Sequence, residues 1–451
     1  MSDWTGRRLH FIGIGGAGMS GLALVCARLG ATVSGSDRAD SSYIERLRKA
    51  GLEPVVGHDA ANYPEGAEVI VSTAIDDENP ELVRARACGV EPIHRGELLA
   101  EICAEKRLIA VAGTHGKTTT TAMIVWALRE MGEDPAFFIG GEVPGLGPEG
   151  EATNAGWGEG ELVVAEADES DGSFLRLQPE VAVVTNLEMD HHSRWGSLAE
   201  LQGAFARFAS RAGKLVAPAG EDLGGVAWLA DKAIFFGTTA PGPEALRLAV
   251  PGEHNLRNAR AALAGIGAAG FDLSAACEAL GGFPGVRRRL ELTGSRGPVH
   301  IYDDYAHHPT EVRAVLTALR ELEPSRLLAV FQPHLYSRTK AFAPQFGAAL
   351  ALADEVAVLD VYPAREQPVG PLAGVSGLQV AQAAAERMAG KPVWWLPRIE
   401  LAERAIVDRL DHNQDLYGEG AVLVTIGAGD VYKLGEALIA ETSSLAGEEA
   451  R

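Results

Sequence analysis

The chain has 451 residues, 47% of them apolar and 22% charged. That composition excludes wholesale disorder, and the length exceeds what one hydrophobic core organises, so two or three domains are expected. Its 61 acidic and 40 basic side chains give a formal net charge of -21, which argues against nonspecific nucleic-acid binding and against docking on anionic lipid. Anionic small substrates stay open to it, because local amides, a few Arg or Lys and Mg2+ can hold them. No apolar stretch reaches the roughly 18 residues of a membrane helix, so no membrane insertion is expected. The opening MSDWTGRRLHFIGIGGAG has no long apolar run ending at a cleavage site and does not read as a signal peptide. Cys26, Cys88, Cys103 and Cys277 form no CxxC pair. They read as buried thiols in a reducing, cytoplasmic setting.

Residues 1–104 form the first expected domain. LHFIGIGGAGMSGLALVCARLGATVSGSD reads as strand, glycine turn, helix and strand. Gly13, Gly15 and Gly18 satisfy GxGxxG: the first two allow a tight turn and close ligand approach, the third close helix–sheet packing. The helix start at Gly15, Gly16, Ala17, Gly18, Met19 and Ser20 would present N–H groups to an anion. Asp37 follows the second strand, where a carboxylate often accepts ribose hydroxyls. A dinucleotide such as NAD(P), another nucleotide of the UDP type, and a packing turn all remain open for this segment. AEVIVSTAI reads as a further strand, ENPELVRARACGVEPI as helix then strand, and RGELLAEICAEK as a helix entering the next domain.

Residues 105–290 form the second. RLIAVAGTHGKTTTTAMIVWALREMG reads as buried strand, phosphate loop and helix. Only Thr114 and His115 separate Gly113 from Gly116, so the common GxxxxGK[ST] spacing is not met. The roles survive: backbone N–H groups cradle a phosphate, Lys117 reaches the β/γ oxygens, and the Thr118 hydroxyl can ligate Mg2+. Thr119, Thr120 and Thr121 suit helix start and packing. ELVVAEADESDGSF ends a strand in Glu166, Asp168, Glu169 and Asp171. Glu166 is the best metal carboxylate there, while Asp171 also fits a solvated loop. VAVVTNLEMDHH repeats the design, with His191 ahead of His192 as a ligand for Mg2+ or Mn2+. In PGEHNLRNARAALAGIGAAG, Asn255 and Asn258 share a helix face and suit an adenine edge, though capping explains Asn255 nearly as well. FPGVRRRLE is a basic hinge from which Arg289, or Arg287 or Arg288, could reach phosphate.

Residues 291–451 form the third. VHIYDDYAHHPTEVRAVLTALREL, SRLLAVFQPHLYSRTKAFAPQF, DEVAVLDVYPAREQ and AVLVTIGAGDVYKLGEAL are βα units, so a third open α/β sheet is expected. Asp303 and Asp304 can accept ribose hydroxyls or bind metal. His307, His308, His334 and Arg338 fall at neighbouring strand ends, where such folds bind ligands. Arg338 suits a carboxylate fork or transition-state charge. One of the 307–308 histidines is a candidate general base. GAGD at 427–430 fits either a ligand contact or a structural turn.

GIGGAGMSG, GTHGKTTT, EADESDGSF, TNLEMDH, GEHNLRNA, DDYAHHPTE, FQPHLYSRT and GAGD occur in that order across the chain. In this the sequence resembles the Mur ligase family over essentially its whole length. The resemblance implies a Rossmann-like N-terminal domain for a UDP-sugar, a P-loop central domain for ATP, and a Rossmann-like C-terminal domain for the amino acid. It decides the first glycine loop, Gly15 to Ser20, against NAD. It implies Lys117 and Thr118 as phosphate-loop lysine and metal-ligating threonine, and Glu166 and His191 as holders of a further metal ion. His254 and Asn255 fall on the adenine motif, Asp304 on a ribose contact, and Arg338 near the amino acid and γ-phosphate. Implied substrates are ATP with Mg2+, UDP-N-acetylmuramate and L-alanine. Leu335 stands where some members carry a basic residue. DHHSRWG has no lysine for the carbamylation several related ligases use, consistent with the alanine-adding branch. The oligomeric state stays open.

Overall fold

The computed structural model describes residues 4–189, 194–220, 223, 233–237, 246–364, 366–413 and 415–449. They form two compact units, Met1–Ala249 with Asn255–Pro284, and Val250–His254 with Gly285–Arg451. Among the described residues the first unit holds two sheets and the second holds one. The α/β class expected from the alternating pattern is the class observed.

The first sheet contains β1 (Arg8–Ile12), β2 (Thr32–Asp37), β3 (Val55–Val56), β4 (Glu68–Val71) and β5 (Ile93–His94). Its order is β3-β2-β1-β4-β5, all parallel. Leu9, Phe11 and Ile12 are fully buried, as a central parallel strand covered on both faces requires. The strand order reverses beside β1, so the glycine loop that follows it lies at the switch point where open sheets bind ligands. The helix Ala17–Leu29 leaves this loop and ends on left-handed Gly30 (φ +106°). Asn79, with Pro80 behind it, caps the helix Pro80–Ala87 through its side-chain oxygen.

The second sheet contains β6 (Arg107–Ala112), β7 (Ala136–Val143), β8 (Thr153–Gly156), β9 (Leu162–Glu166), β10 (Val181–Val184), β11 (Lys214–Pro218) and β12 (Ala233–Phe236). Its order is β12-β11-β10-β6-β9-β7-β8, with only β8 antiparallel to its neighbour. β6 is central, between β9 and β10, and again sits at a switch point. One apolar cluster runs from Leu9 and Phe11 through Leu98 and Leu108 to Phe205 and Phe208, binding both sheets into the first unit.

The third sheet contains β13 (Glu291–Arg296), β14 (Val299–Asp304), β15 (Arg326–Phe331), β16 (Glu355–Val358), β17 (Val393–Trp395) and β18 (Ala421–Ile426). Its order is β13-β14-β18-β15-β16-β17, parallel except for the β13–β14 hairpin. In register, Asp304 and Phe331 both pair with Ile426, and Phe331 with Val358. Four strands therefore end at one level and their loops share one edge. Separate apolar clusters cover the two faces, one around Phe331 and Phe346, the other around Ile406 and Leu434.

Two expectations need correction. Cys26 and Cys103 are buried free thiols, but Cys88, the C-cap of the helix Pro80–Ala87, and Cys277, on the helix Leu273–Leu280, are only partly covered. Close helix–sheet packing falls at Gly21 rather than Gly18. A Cβ on Gly21 would stand 2.8 Å from Ala155 of β8, whereas one on Gly18 would meet only the guanidinium of Arg95, at 3.1 Å.

Candidate functional site

The phosphate loop follows from local chemistry. β6 delivers the chain to Gly113, and the helix Lys117–Glu130 starts on Gly116, which is left-handed (φ +79°). A side chain at Gly116 would be strained and would also collide with the amide of Asn258. The loop is held from the side by the segment after β10. Asn186 accepts the His115 N–H at 2.9 Å through Oδ1 and donates to the His115 carbonyl at 2.8 Å through Nδ2. The Thr185 hydroxyl donates to the same carbonyl at 2.6 Å. Thr114 Oγ1 donates to the Glu188 carbonyl at 2.9 Å and accepts the Glu188 N–H at 2.9 Å. Arg257 donates to the Thr185 carbonyl at 3.2 Å.

Lys117 spans this loop. Its Nζ donates to the Gly113 carbonyl at 2.6 Å and pairs with Glu169 at 2.9 Å. Burial alone would lower its pKa, but the charges of Glu169, Asp168 and Glu166 outweigh that and hold it above the ordinary lysine range. Glu169 is 1% exposed and is the buried counter-charge. Asp168 is pulled the other way: burial would raise it, yet Lys117, Arg95 and the Ser170 N–H bring it to about 2. Glu166 ends β9 and accepts the Gly140 N–H at 2.7 Å. Thr118 is buried in the first helical turn. Thr119, Thr120 and Thr121 are buried as well, and Thr121 bonds back to the Lys117 carbonyl.

The glycine loop of the first domain adjoins this cluster. Asp37 accepts the Gly15 N–H at 2.8 Å, so the acid closes the loop from the strand side, a role the ribose reading did not include. Arg95 starts the helix Arg95–Cys103 and pairs with Asp168 at 3.1 Å and Asp171 at 2.8 Å. Asp171, which also fitted a solvated loop, is therefore engaged. Arg46 bridges Glu142 at 2.7 Å and Asn154 at 2.8 Å, and Asn154 donates to the Ala17 carbonyl at 2.9 Å.

His191 and His192 lie outside the described residues. Asn255 and Asn258 are buried on the helix Glu253–Ala268. Asn258 meets Gly116 of the phosphate loop, as noted. His254 is pushed down to about 4 by burial and is neutral near pH 7.

In the second unit, the basic hinge is engaged by its own domain. Arg288 pairs with Asp303 at 3.0 Å, donates to the Gly427 carbonyl at 2.9 Å and lies over Tyr432. This corrects its reading as a phosphate-seeking side chain. Arg289 lies over the Tyr305 ring at 5.1 Å. Asp304 accepts the N–H groups of Leu290 and Ala306, each at 2.7 Å. Burial raises its pKa to about 7 against the pull of Arg289 and those two N–H groups. Asp303 accepts from Thr425 as well as Arg288. Both acids thus fasten the hinge to the sheet edge, which their expected ribose or metal role did not foresee.

The shared edge of β14, β15 and β18 brings together three residues singled out in the sequence. His307 and His334 meet edge to face at 5.9 Å, and Arg338 donates to His334 Nδ1 at 3.3 Å. A guanidinium only donates, so Nδ1 accepts and the ring proton sits on Nε2. His308 caps the helix Pro309–Glu321: Nδ1 accepts the Thr310 N–H, and Glu311 reaches back to complete a capping box. Its ring packs on Phe342. That position gives His308 a structural task its candidacy as general base had not included.

Three α/β domains, one with a lysine-bearing phosphate loop ringed by carboxylates, define a nucleotide-using enzyme. Family models match residues 8–107 as the Mur ligase family catalytic domain, 111–238 as the Mur ligase middle domain, and 288–429 as the Mur ligase glutamate ligase domain. The chain is 43% identical over 96% of its length to a UDP-N-acetylmuramate–L-alanine ligase of Renibacterium salmoninarum, covering 95% of that protein. It is 43% identical over 98% of its length to the ligase of the same name from Mycolicibacterium vanbaalenii, covering 97% of it. The crystal structure of UDP-N-acetylmuramate–alanine ligase from Thermotoga maritima superposes with TM-score 0.82 at 30% identity, over 97% of this chain and 99% of that one. This chain belongs to the Mur ligase family, whose members use ATP.

Proposed function

We propose that this protein joins L-alanine to the lactyl carboxylate of UDP-N-acetylmuramate, converting ATP to ADP and phosphate. The observation that carries this is the phosphate loop with its buried Lys117–Glu169 pair, in a chain alike from end to end to alanine-adding ligases. A carboxylate resists amines because oxide is a poor leaving group. Its oxygen attacks the γ-phosphorus of ATP, the bond to ADP breaks, and an acyl phosphate forms. The alanine amine then adds to the acyl carbon, phosphate leaves, and the amine proton passes to solvent or a base. Lys117 carries positive charge to the phosphoryl oxygens, and the loop N–H groups orient them.

Thr118 and Glu166 are hard oxygen donors of the kind Mg2+ takes, Thr118 in the first turn of the helix after the phosphate loop and Glu166 at the end of β9. They would hold that ion, together with His191, and it would supply further neutralisation of phosphate charge. The Gly15–Ser20 loop with Asp37 would hold the UDP-sugar, and Gly113–Thr119 with His254, Asn255, Asn258, Arg289 and Asp304 the ATP. His307, Arg338 and His334 would face the amino acid. We place the domains at 1–104, 105–290 and 291–451. No helix among the described residues is long and apolar enough to cross a membrane, and substrates of this kind fit a cytoplasmic enzyme.

The test is phosphate release from ATP, Mg2+ and UDP-N-acetylmuramate with either L-alanine or a muramyl-type tripeptide as acceptor. Release with alanine is expected. Release with tripeptide alone would reassign the chain to peptide recycling, and release with neither would overturn the proposal.

A further inference from the structure

Beyond β16 the chain runs to Tyr362, a residue to which neither the motifs nor the reaction above assign a task. Its backbone grips the segment after β15 on both sides of His334. The Tyr362 N–H donates to the Pro333 carbonyl at 2.8 Å, and the Tyr362 carbonyl accepts the Leu335 N–H at 3.0 Å. The two residues form an isolated parallel bridge. Their rings stack at 5.8 Å with planes 12° apart.

The grip holds a costly backbone. Leu335 has φ +71°, ψ 133°, a region that a branched side chain rarely enters. This turn follows His334 directly and starts the helix Tyr336–Leu350 that carries Arg338. The Thr339 N–H and hydroxyl fix the Leu335 carbonyl at 3.0 and 2.8 Å. On the far side the phenol ring rests on the GAGD loop. A Cβ on Gly429 would collide with Gln332 Oε1 and come within 2.7 Å of Tyr362 Cγ. The loop is itself pinned by Gln332, which donates to Asp430 at 2.9 Å and accepts the Val431 N–H at 3.1 Å. The motif that fitted either a ligand contact or a turn is thus the seat of an aromatic ring.

We propose that Tyr362 is a positioning residue of the acceptor amino-acid site: seated on Gly429, it fixes the plane of His334, and through it the guanidinium of Arg338. The inference rests on the proposed function only for the identity of that site. His334 stacks on the phenol ring, meets His307 edge to face, and is held at Nδ1 by Arg338. Removing the ring frees the imidazole to turn and releases the Arg338 contact. The phenol hydroxyl plays no part in this arrangement, so phenylalanine should substitute.

The test compares Tyr362→Phe, Tyr362→Ala and Gly429→Ala with the unsubstituted protein, in two readouts. In steady-state kinetics Tyr362→Phe should stay within about two-fold throughout. Tyr362→Ala should raise the KM for L-alanine about ten-fold or more, with the KM for ATP nearly unchanged, since small misplacements of positioning groups cost that much. Gly429→Ala, which crowds Gln332 and the ring together without removing either, should move in the same direction. In substrate-free protein, imidazole 15N spectra should show His334 protonated at Nε2 in the unsubstituted and Tyr362→Phe proteins, and mixed tautomers in Tyr362→Ala. An unchanged alanine KM and tautomer in Tyr362→Ala would overturn the inference, as would equal rises in the alanine and ATP KM. If the unsubstituted protein turned over no alanine, the functional proposal would fail, while the tautomer readout would still judge Tyr362.

Discussion

Lys117 shows how a single charge is kept ready. A buried ammonium ordinarily tends to lose its proton, yet here three carboxylates hold it protonated across the neutral range. Lys117→Met would remove the charge and leave Glu169 buried without its cation. We expect the rate of alanine-dependent phosphate release to fall by about 10²–10³-fold, the scale for losing one group aimed at developing charge. A loss under ten-fold at saturating ATP would contradict the role given to it. Glu81 illustrates the same balance with a structural outcome. It is fully buried, accepts from the Ser36 hydroxyl at 2.7 Å and meets His10 Nε2 at 2.7 Å. Burial would raise its pKa, but His10, Ser36 and Asn62 bring it to about 2. The folded value lies below the unfolded value of about 4.3, so the unfolded chain takes up the proton first as the solution is acidified. Its stabilisation is complete above about pH 5 and is lost as pH falls from about 4 towards 2. Glu81→Gln should cost about 1–3 kcal/mol near pH 7 and flatten the acid limb of the melting temperature against pH. An acid limb identical to that of the unsubstituted protein would refute this.

At the scale of elements, the phosphate loop is shaped by its neighbour as much as by its own glycines. Asn186 satisfies both the N–H and the carbonyl of His115. Asn186→Ala should loosen the loop without unfolding the domain. Two hydrogen bonds of about 1 kcal/mol each translate to a weakening of ATP binding of about thirty-fold. Titration with a nonhydrolysable ATP analogue measures it, and an unchanged affinity would show the loop to be self-supporting. This contribution was not legible in TNLEMDH, where attention goes to the histidines. An asparagine holding another segment's backbone leaves no periodic signal. GTHGKTTT was legible despite its short spacing, because strand, loop, lysine and helix are local. β7, β8, β12 and β13 were not singled out: they lie at or near sheet edges, and TNAG and ELTGSR have neither alternation nor a long apolar run. Asp304 was legible as a chemically interesting acid, but not as the acceptor for Leu290, since that pairing depends on the hinge folding back onto the sheet edge. The His334–Tyr362 stack was likewise hidden, since it too depends on the folded chain.

For the whole molecule, the order of the motifs carried more than any one of them. GIGGAGMSG alone left a dinucleotide open. Followed by GTHGKTTT and the strand-end histidines, it fits a chain that handles two nucleotides. In the first unit, β1 and β6 both lie at switch points, and Arg95 ties the domain of one to the carboxylates beside the other. In the second, four strands end level and bring His307, after β14, to His334 and Arg338, after β15. An excess of 21 negative charges is compatible with polyanionic substrates because exposed charges are screened beyond roughly 8–10 Å, leaving local cations and N–H groups to decide. The central claim is that ATP activates a carboxylate which alanine then captures. It is tested most directly with UDP-N-acetylmuramate labelled with 18O in both lactyl carboxylate oxygens, incubated with ATP, Mg2+ and L-alanine, and analysed by mass spectrometry. The account predicts a sugar nucleotide extended by one alanine residue that retains one 18O, and inorganic phosphate that carries the other. Phosphate without label, or formed without the alanine adduct, would contradict it.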